Sequence, residues 1–362
     1  MNDRYKAAVL TNTKSLYVGS FERRELKSNE MRIRVLCCAI CGSDIRIFNY
    51  GNPRVKLPHI IGHEVVGEVI ELGEDVKDCN NSWQAKDCKF KIGDRVCFAA
   101  DLPCSNARCK YCESGMINSC DENLAIGYQF DGGFAEEMIL PENCFKRGAI
   151  EKLDDNETDV EKFALTEPLA CVVNGLSVCK KSMRNDNALV FGGGPIGIML
   201  ADMMKNVLHA KHVIIVEPNA NRRKIIMEKF PCIEVWNNLE GYKEKILETY
   251  GSIDVVFTAN SNPTTHSDAI EICSKNGTIN LFGGLGTNDP VPINTNMIHY
   301  KQLHVTATHG SNLYSFSEAF SHIKHGTIDA KKYITSTYKL DDIAEAFESL
   351  KNPDNLKILI KP

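Results

Sequence analysis

In the segment AICGSDIRIFNYGNPRVKLPHIIGHEVVGEV, residues 39–69, three side chains are the first candidates for metal ligands. Cys41 stands near its start, and His63 and Glu64 stand together near its end. Thiolate, imidazole and carboxylate groups are the usual protein ligands of zinc. The same residues are also compatible with a buried thiol and two polar groups that are neighbours only in sequence. Their spacing alone does not decide between these alternatives.

A second segment, LPCSNARCKYCESGMINSC, concentrates cysteines with gaps of four, two and seven residues. The four residues are Cys104, Cys109, Cys112 and Cys120. Cys-x2-Cys is a common chelating turn, and four thiolates fill the tetrahedron of a structural zinc ion. Four free thiols in one short loop would instead be open to oxidation. The spacing therefore predicts a closed zinc site that holds a loop in place.

The segment VFGGGPIGIML carries the pattern G-x-G-x-x-G between an apolar strand and a predicted helix. The first glycine allows a tight turn, the second lets the backbone approach a pyrophosphate, and the third lets the helix pack on the strand. The N-terminus of the helix then offers unpaired N–H groups to the phosphates. The alternative is a glycine-rich turn without a ligand. The residues predicted to bind a dinucleotide here are Gly192, Gly194, Pro195, Ile196 and Gly197.

Glu217 ends the next predicted strand, 20 residues after Gly197. An acidic residue there accepts hydrogen bonds from the adenosine ribose and repels a 2′-phosphate. This predicts NAD rather than NADP as the cofactor. Arg222 and Arg223 lie close by and weaken that preference, and Arg222 is a further candidate for cofactor contact.

Composition restricts the class of protein that these motifs belong to. The chain has 362 residues, which suits two domains, and 25% charged residues with a net charge of -5. That balance gives no reason to expect nucleic acid or a membrane surface as a partner. No apolar run approaches the roughly 18–20 residues that span a bilayer, and the start MNDRYKAAVL does not resemble a secretory signal. Fifteen cysteines in a chain of this kind favour a reducing, cytoplasmic location and metal ligation over disulfides.

The predicted elements change character along the chain. The first ~150 residues contain short β-branched runs broken by Gly, Asn and Pro, which is typical of antiparallel strands. From about residue 160 apolar strands alternate with amphipathic helices, which predicts an α/β fold with a doubly wound parallel sheet. The polar segment 79–91 is predicted to be a surface loop, and its Cys79 and Cys88 are assigned no functional role.

Together, GHEVVGEV, GDRV, GGGPIG and IHYKQL resemble the zinc-dependent medium-chain dehydrogenases/reductases, the alcohol dehydrogenase family, over essentially the whole chain. The resemblance implies a GroES-like, β-rich catalytic domain of residues 1–158 and 306–362, and a Rossmann NAD-binding domain of residues 159–305. It also implies two zinc ions per chain, one catalytic and one structural. The first cysteine gap is four residues rather than the family's usual two, so the loop that begins at Cys104 is longer here.

The resemblance also implies roles in the opening segment. Cys41 and His63 would be ligands of the catalytic zinc, and Asp44 would orient His63. Ser43 would receive the proton of the substrate hydroxyl. Three protein ligands would leave one position open for water or a substrate hydroxyl, and the carbon that bears this hydroxyl would pass a hydride to the nicotinamide.

The motif LTEPLACVVNGL resembles the polyol, sorbitol-type, branch of this family. In that branch a glutamate stands near the zinc, here Glu167. Either Glu64 or Glu167 would be the third ligand, and the other would lie close to the metal. Cys171 is a rival ligand at a nearby position, although a buried structural thiol fits it better.

Position 46 departs from the family pattern, because many members carry a proton-relaying histidine there and this chain has Arg46. Arginine stays protonated and cannot relay a proton by titrating. Either Arg46 contacts the cofactor or solvent, or it binds a phosphate or carboxylate on the substrate.

The sequence and this resemblance together predict an NAD-dependent polyol or sugar-alcohol dehydrogenase, and the resemblance implies a homodimer or homotetramer. One alternative is a dehydrogenase of a phosphorylated or carboxylated polyol. Another is a non-catalytic redox sensor that binds zinc and NAD, although a sensor has no use for the full set of predicted catalytic residues. That set is Cys41, Ser43, His63, Glu64 and Glu167.

Overall fold

The computed structural model describes residues 3–76, 89–104, 106, 108–179, 182–286 and 290–362. Cys79 and Cys88 lie outside the described residues. The chain divides into two compact units. The first comprises Met1–Cys171, Gly310–His325 and Asp329–Pro362, and the second comprises Val172–His309 and Gly326–Ile328.

The described strands and helices follow one another from residue 4 to residue 361. The strands are β1 Arg4–Asn12, β2 Ser15–Glu22, β3 Met31–Ala39, β4 Glu64–Leu72, β5 Arg95–Phe98, β6 Asp101–Leu102, β7 Leu124–Ala125, β8 Glu137–Leu140, β9 Ile150–Lys152, β10 Asn187–Phe191, β11 His212–Val216, β12 Glu234–Trp236, β13 Val255–Thr258, β14 Thr278–Leu281, β15 His304–Ala307, β16 Ile334–Lys339 and β17 Lys357–Lys361. The α-helices are α1 Gly42–Tyr50, α2 Lys110–Glu113, α3 Glu142–Lys146, α4 Thr166–Leu176, α5 Pro195–Asn206, α6 Ala220–Lys229, α7 Tyr242–Tyr250, α8 Pro263–Ile272, α9 Thr295–Lys301, α10 Leu313–Lys324 and α11 Ile343–Ser349. Short 3-10 helices cover Glu74–Val76, Ile117–Ser119, Glu161–Leu165, Ala330–Tyr333 and Leu340–Asp342.

The first unit is built on a mostly antiparallel sheet with the strand order β16-β17-β3-β4-β5-β9, and β8 also pairs with β3. The β1–β2 hairpin and the small β6–β7 pair stand apart from that order. The hydrophobic core of this unit includes Ile33, Phe98, Phe134 and Ile358, each at most 1% exposed. This buried, paired sheet supports the residues predicted to bind metal.

The pairing of β3 with β4 explains how distant parts of the sequence meet. The two strands are antiparallel, with Cys38 opposite Val65 and Ala39 opposite Glu64. The end of β3 therefore lies beside the start of β4. Cys41, just past one strand, and His63, just before the other, are brought to the same edge of the sheet.

The second unit contains a parallel sheet with the strand order β12-β11-β10-β13-β14-β15. The strands in NALVFG, HVIIVE, IDVVFTA, GTINLFG and QLHVTATHG were all predicted from their apolar runs, and the structure confirms this α/β fold class. Strand order reverses between β10 and β13, and ligands of such sheets bind beyond the carboxyl ends of the strands at that point. No helix among the described residues is long and apolar enough to cross a membrane.

Candidate functional site: a metal centre and a dinucleotide turn

Cys41, His63 and Glu64 form one cluster in the first unit, and their potential ligand atoms all lie within 4.8 Å of one another. His63 is 4% exposed, Glu64 is 0% exposed and Cys41 is half-buried. Zinc–ligand distances of about 2.0–2.3 Å allow two ligand atoms of one ion to lie up to about 4.6 Å apart. A soft thiolate, an imidazole and a carboxylate at this separation suit a zinc ion in both chemistry and spacing.

Asp44 connects the start of α1 to His63. One carboxylate oxygen accepts a hydrogen bond from the Cys41 backbone N–H at 2.9 Å, and the other lies 3.3 Å from His63 Nδ1. Asp44 is completely buried. With Nδ1 facing Asp44, the other ring nitrogen, Nε2, remains available as a metal ligand, which is the arrangement that metal-bound histidines commonly need.

The electrostatics of the cluster favour a bound cation. Burial lowers the pKa of the His63 imidazole, but the charges of Asp44 and Cys41 outweigh burial and hold that pKa well above its usual value. These side chains therefore stabilise a positive charge. A metal ion can supply that charge once it displaces the proton of His63.

The four cysteines of the second motif converge on a separate point in the first unit. All four sulfur atoms lie within 4.8 Å of one another, with Cys104 3.7 Å from Cys112 and Cys109 3.7 Å from Cys120. The longer first gap thus still allows Cys104 to reach the group. Hydrogen bonds from backbone groups, chiefly at Cys112, lower the pKa of the Cys109 thiol to about 7. A cysteine that ionises easily, placed beside three further thiols, fits a closed structural zinc site.

The glycine turn of the second unit follows β10 and opens α5. Gly192 has a φ of 107°, a backbone conformation that side chains other than glycine rarely adopt. A Cβ atom at Gly197 would lie 1.9 Å from the Gly192 carbonyl oxygen, so only glycine allows this helix to approach the turn. Nothing lies within 4 Å of the corresponding position at Gly194, which leaves the backbone open to a ligand. Pro195 begins α5, where its missing N–H costs nothing.

Glu217 stands at the carboxyl end of β11 and lines a cavity of about 600 Å³. Its two carboxylate oxygens accept hydrogen bonds from the backbone N–H groups of Gly193 at 2.7 Å and Asn219 at 2.8 Å. The Arg223 guanidinium donates to the backbone carbonyls of Glu217 and Pro218, at 2.9 and 2.6 Å. The Arg223 guanidinium is thus hydrogen-bonded to backbone carbonyl groups. Arg222 is not among the residues that line the cavity. The cavity wall beside the glycine turn therefore carries the negative charge of Glu217.

Comparison with known proteins agrees with this pairing of a metal cluster and a dinucleotide turn. Residues 27–152 match the model of the alcohol dehydrogenase GroES-like domain, and residues 195–325 match that of the zinc-binding dehydrogenases. The chain belongs to the zinc-dependent medium-chain dehydrogenase family. The predicted resemblance is thereby confirmed, as are zinc and a nicotinamide dinucleotide as the cofactors of the family.

Individual relatives match this dehydrogenase over almost its whole length. It is 26% identical over 352 residues to an L-threonine 3-dehydrogenase of Vibrio parahaemolyticus, covering 95% of each chain. It is similar to the solved structure of 2R,3R-butanediol dehydrogenase from Bacillus subtilis, with a TM-score of 0.86, 26% identity and 99% of each chain covered. An alcohol dehydrogenase from Escherichia coli CFT073 complexed with NADH shares the fold, with a TM-score of 0.85, 24% identity and 100% of each chain covered.

Lys357 is a residue of the candidate metal site that sequence analysis missed. Its ammonium group contacts both carboxylate oxygens of Glu64, at 2.6 Å for Oε2, and it also donates to the Ile40 carbonyl at 3.4 Å. It begins β17, which pairs with β3. No local pattern connects position 357 with position 64, so only this strand pairing reveals the contact.

Glu167 is the second residue of α4 and is 8% exposed. Burial raises the pKa of its carboxyl group to about 7, against the attraction of His63. It is not part of the cluster formed by Cys41, His63 and Glu64 among the described residues. The thiol of Cys171, one helical turn further on, lies 3.8 Å from a Glu167 oxygen.

Two further side chains complete the surroundings of His63. The Ser43 hydroxyl lies 3.3 Å from His63 Nε2, and the ring of Tyr128 lies 5.9 Å from the His63 ring. Tyr128 was not singled out from the sequence, because it belongs to a loop far from the zinc motif. Arg46 is exposed on α1.

Proposed function

We propose that this dehydrogenase uses NAD to oxidise a secondary alcohol whose neighbouring carbon carries a hydroxyl group, as in a polyol or sugar alcohol. The observation that carries the proposal is the cluster of Cys41, His63 and Glu64, with ligand atoms within 4.8 Å. The Ser43 hydroxyl stands beside it. A hydroxyl at that place can take the proton that the alcohol loses.

In the proposed site Cys41, His63 and Glu64 hold the catalytic zinc, and Glu167 stands close to it as a carboxyl group of raised pKa. When bound, zinc lowers the pKa of the substrate hydroxyl and NAD accepts the hydride. Asp44 keeps the imidazole of His63 oriented. Cys104, Cys109, Cys112 and Cys120 hold the structural zinc.

Zinc content distinguishes Glu64 from Glu167 as the third ligand. Glu64→Gln is expected to lose the catalytic zinc, because an amide is a poor ligand for zinc. Glu167→Gln, as the matched variant, is expected to keep it and to lose rate. If Glu167→Gln loses the metal and Glu64→Gln retains it, the two roles are exchanged.

The preference for NAD rests on Glu217. Its carboxylate lines the cavity beside the glycine turn and would repel a 2′-phosphate there. Glu217→Ala is therefore expected to weaken NAD use and to improve NADP use, while Glu240→Ala, an exposed control, changes neither. A native enzyme with higher kcat/KM for NADP would overturn this preference.

A second candidate substrate is a 2-amino alcohol. The relatives are named for L-threonine, which carries an amino group beside the secondary hydroxyl, and for butane-2,3-diol, which carries a second hydroxyl there. Both share a heteroatom on the carbon next to the reacting one. A spectrophotometric screen of NAD reduction with sugar alcohols, butane-2,3-diol, L-threonine and propan-2-ol separates the two candidates. A kcat/KM for propan-2-ol equal to that for the diols and L-threonine would count against both candidates. NADH binding without turnover of any alcohol would indicate a redox sensor.

An anionic substrate is tested by adding polyol phosphates and sugar acids to this screen. Arg46 is exposed on α1, the helix that begins directly after Cys41, so its guanidinium can reach a charged substituent of a substrate. A charge-assisted hydrogen bond is worth roughly 1.5–3 kcal/mol, or about ten- to a hundredfold in binding. If the substrate carries phosphate or carboxylate, Arg46→Ala raises its KM by about that factor and leaves the uncharged parent alcohol unaffected. Equal use of neutral and anionic polyols by the native enzyme contradicts this alternative.

The proposed assembly is a homodimer or homotetramer. β15 ends the parallel sheet, and among the described strands only β14 pairs with it. Val305 on this strand is 37% exposed and Tyr300 on the preceding helix is 76% exposed. An unpaired strand edge with apolar side chains is a site where a second copy can add its own strand. Light scattering of the purified protein gives its mass, and a monomer at all concentrations would contradict the assembly.

A further inference from the structure

The cavity that Glu217 lines has room for the base of a dinucleotide as well as its ribose. It measures about 600 Å³, and its lining residues include Tyr242, the first residue of α7, and Asp268 in the middle of α8. All of its lining residues belong to the second unit. A base attached to a ribose at Glu217 would enter this space, so the polar atoms that α7 and α8 supply can select among bases.

The hydroxyl group of Tyr242 has a fixed direction. It donates its proton to Asp268 Oδ2 at 2.7 Å, and an ionised carboxylate can only accept. The Lys243 ammonium donates to the other oxygen, Asp268 Oδ1, at 2.7 Å, and it also contacts Glu271. The side chains of Lys243 and Asp268 are 23% and 15% exposed, so this ion pair is largely shielded from water.

Tyr242 Oη therefore acts towards any further partner as a hydrogen-bond acceptor. A hydroxyl group has a single proton, and Asp268 already takes it, so only lone pairs remain. Burial, and after it the hydrogen bond to Asp268, raises the pKa of the Tyr242 phenol, which keeps its proton at neutral pH. The Tyr242 ring stands perpendicular to that of Phe191, with the ring centroids 6.5 Å apart. Since Phe191 directly precedes Gly192, this contact places Tyr242 beside the glycine turn.

The asparagine and threonine side chains of the cavity do not fix a polarity in this way. Asn260 Oδ1 accepts from the Asn262 N–H at 3.0 Å and from the Thr265 hydroxyl at 2.9 Å. Asn262 Oδ1 accepts from the Thr264 N–H at 3.1 Å. These oxygens are used within the segment that begins α8. Asn238 is exposed, and its amide can turn either its oxygen or its NH2 group towards a ligand.

We propose that Tyr242, held by Asp268, selects adenine over a 6-oxopurine as the base of the dinucleotide. The exocyclic amine of adenine lies on the edge of the base away from the ribose, and it donates a hydrogen bond that Tyr242 Oη can accept. Hypoxanthine has an oxygen in place of that amine, and two facing oxygens that offer only lone pairs repel each other. Tyr242 is thus a specificity-determining residue, whereas Asp268 and Lys243 are positioning residues that act through it.

The inference rests on the proposed use of NAD, and a binding experiment that needs no alcohol tests it. Fluorescence titration measures the affinities of the native protein, Tyr242→Phe, Asp268→Asn and Tyr17→Phe for two dinucleotides. These are NADH and reduced nicotinamide hypoxanthine dinucleotide, which carries an oxygen instead of the exocyclic amine. Tyr17 is 59% exposed on β2 of the first unit and is the control for loss of a phenol hydroxyl. Melting temperatures show that each variant is folded.

The native protein is expected to bind NADH about tenfold more tightly than the hypoxanthine analogue, because repulsion between oxygens replaces one hydrogen bond. Tyr242→Phe should weaken NADH binding without weakening binding of the analogue, so that the preference falls to about twofold or less. Asp268→Asn should also reduce the preference, since an amide NH2 can donate to the phenol oxygen and let the phenol proton turn to the base. Tyr17→Phe should keep the native preference.

Three results overturn the inference. The first is equal affinity of the native protein for the two dinucleotides, and the second is tighter binding of the hypoxanthine analogue. The third is equal weakening of both dinucleotides by Tyr242→Phe, which indicates that the ring only packs. Failure of the proposed function is distinguishable. If no alcohol is oxidised, or if NADPH binds as tightly as NADH, the preference between NADH and its hypoxanthine analogue is still measured.

Discussion

Lys357 and Glu64 form an ion pair inside the first unit, with Lys357 Nζ 2.6 Å from Glu64 Oε2. Lys357 is 3% exposed and Glu64 is 0% exposed. Burial lowers the pKa of the Lys357 ammonium, but the Glu64 carboxylate outweighs burial and raises that pKa above its usual value. The lysine therefore stays charged and balances a carboxylate that also belongs to the metal cluster. This contact joins the start of β17 to the start of β4.

Lys357→Met is expected to destabilise the first unit by about 3–5 kcal/mol, because it leaves a buried carboxylate without its partner. The matched control is Lys361→Met on the same strand. Lys361 pairs with Glu161, but these side chains are 42% and 37% exposed, so the loss should stay below about 1 kcal/mol. Thermal melting of both variants measures the difference. Equal melting temperatures would show that the buried pair adds no stability.

Elemental analysis is expected to find two zinc ions per chain in protein purified without chelator. Cys41→Ser should remove one ion and nearly all activity while the melting temperature changes little, because the catalytic site is supported by the sheet. Cys109→Ser should remove the other ion and lower the melting temperature, because that ion closes a loop. Cys232→Ser is the control, since Cys232 is exposed and belongs to neither cluster. A Cys41→Ser variant with full activity contradicts the catalytic assignment.

The two glycines Gly197 and Gly194 should respond differently to alanine. Gly197→Ala places a methyl group 1.9 Å from the Gly192 carbonyl oxygen, so the helix must shift and the melting temperature should fall. Gly194→Ala meets no atom within 4 Å and should leave the melting temperature unchanged. It should nevertheless weaken NADH binding, because its methyl group points into the space where the pyrophosphate approaches. NADH fluorescence titration measures that affinity, and native affinity in Gly194→Ala would place the dinucleotide elsewhere.

Glu30 is expected to make part of the stability depend on pH. Burial raises the pKa of its carboxyl group, but hydrogen bonds from Arg24 and the Lys27 backbone outweigh burial, and the pKa is lowered. A lowered folded-state pKa means that the stabilisation is present above the unfolded value of about 4.3 and is lost as pH falls through the folded value.

Glu30→Gln should therefore lower the melting temperature at pH 7, by an amount equivalent to about 1.5 kcal/mol. The gap between this variant and the native protein should narrow as pH falls through the lowered pKa of Glu30, because the native carboxylate then becomes protonated. Glu25→Gln, which changes an exposed side chain, serves as the control. A gap that stays constant from pH 7 to pH 3 would show that the effect is not electrostatic.

The sequence by itself determined the features whose residues are close neighbours in the chain. The glycine turn with Glu217 one strand later, and the four cysteines from Cys104 to Cys120, need only local spacing to be recognised. Apolar runs were enough to predict five strands of the second unit, β10, β11, β13, β14 and β15, because a buried parallel strand is apolar on both faces. The strand β12 was not predicted, because its three residues are too few to show a period, and the helix α7 was not predicted either.

Only the tertiary structure decided which distant residues surround the metal cluster. Lys357 meets Glu64 because β17 pairs with β3 and β3 with β4. Tyr128 meets His63 because its loop packs against Gly62. Neither contact can be predicted from a local sequence pattern, since strand pairing and loop packing join residues that are far apart along the chain. The candidate metal ligands could be proposed from their chemical types, whereas the charge of Lys357 and the ring of Tyr128 beside them depend on how strands pair and loops pack.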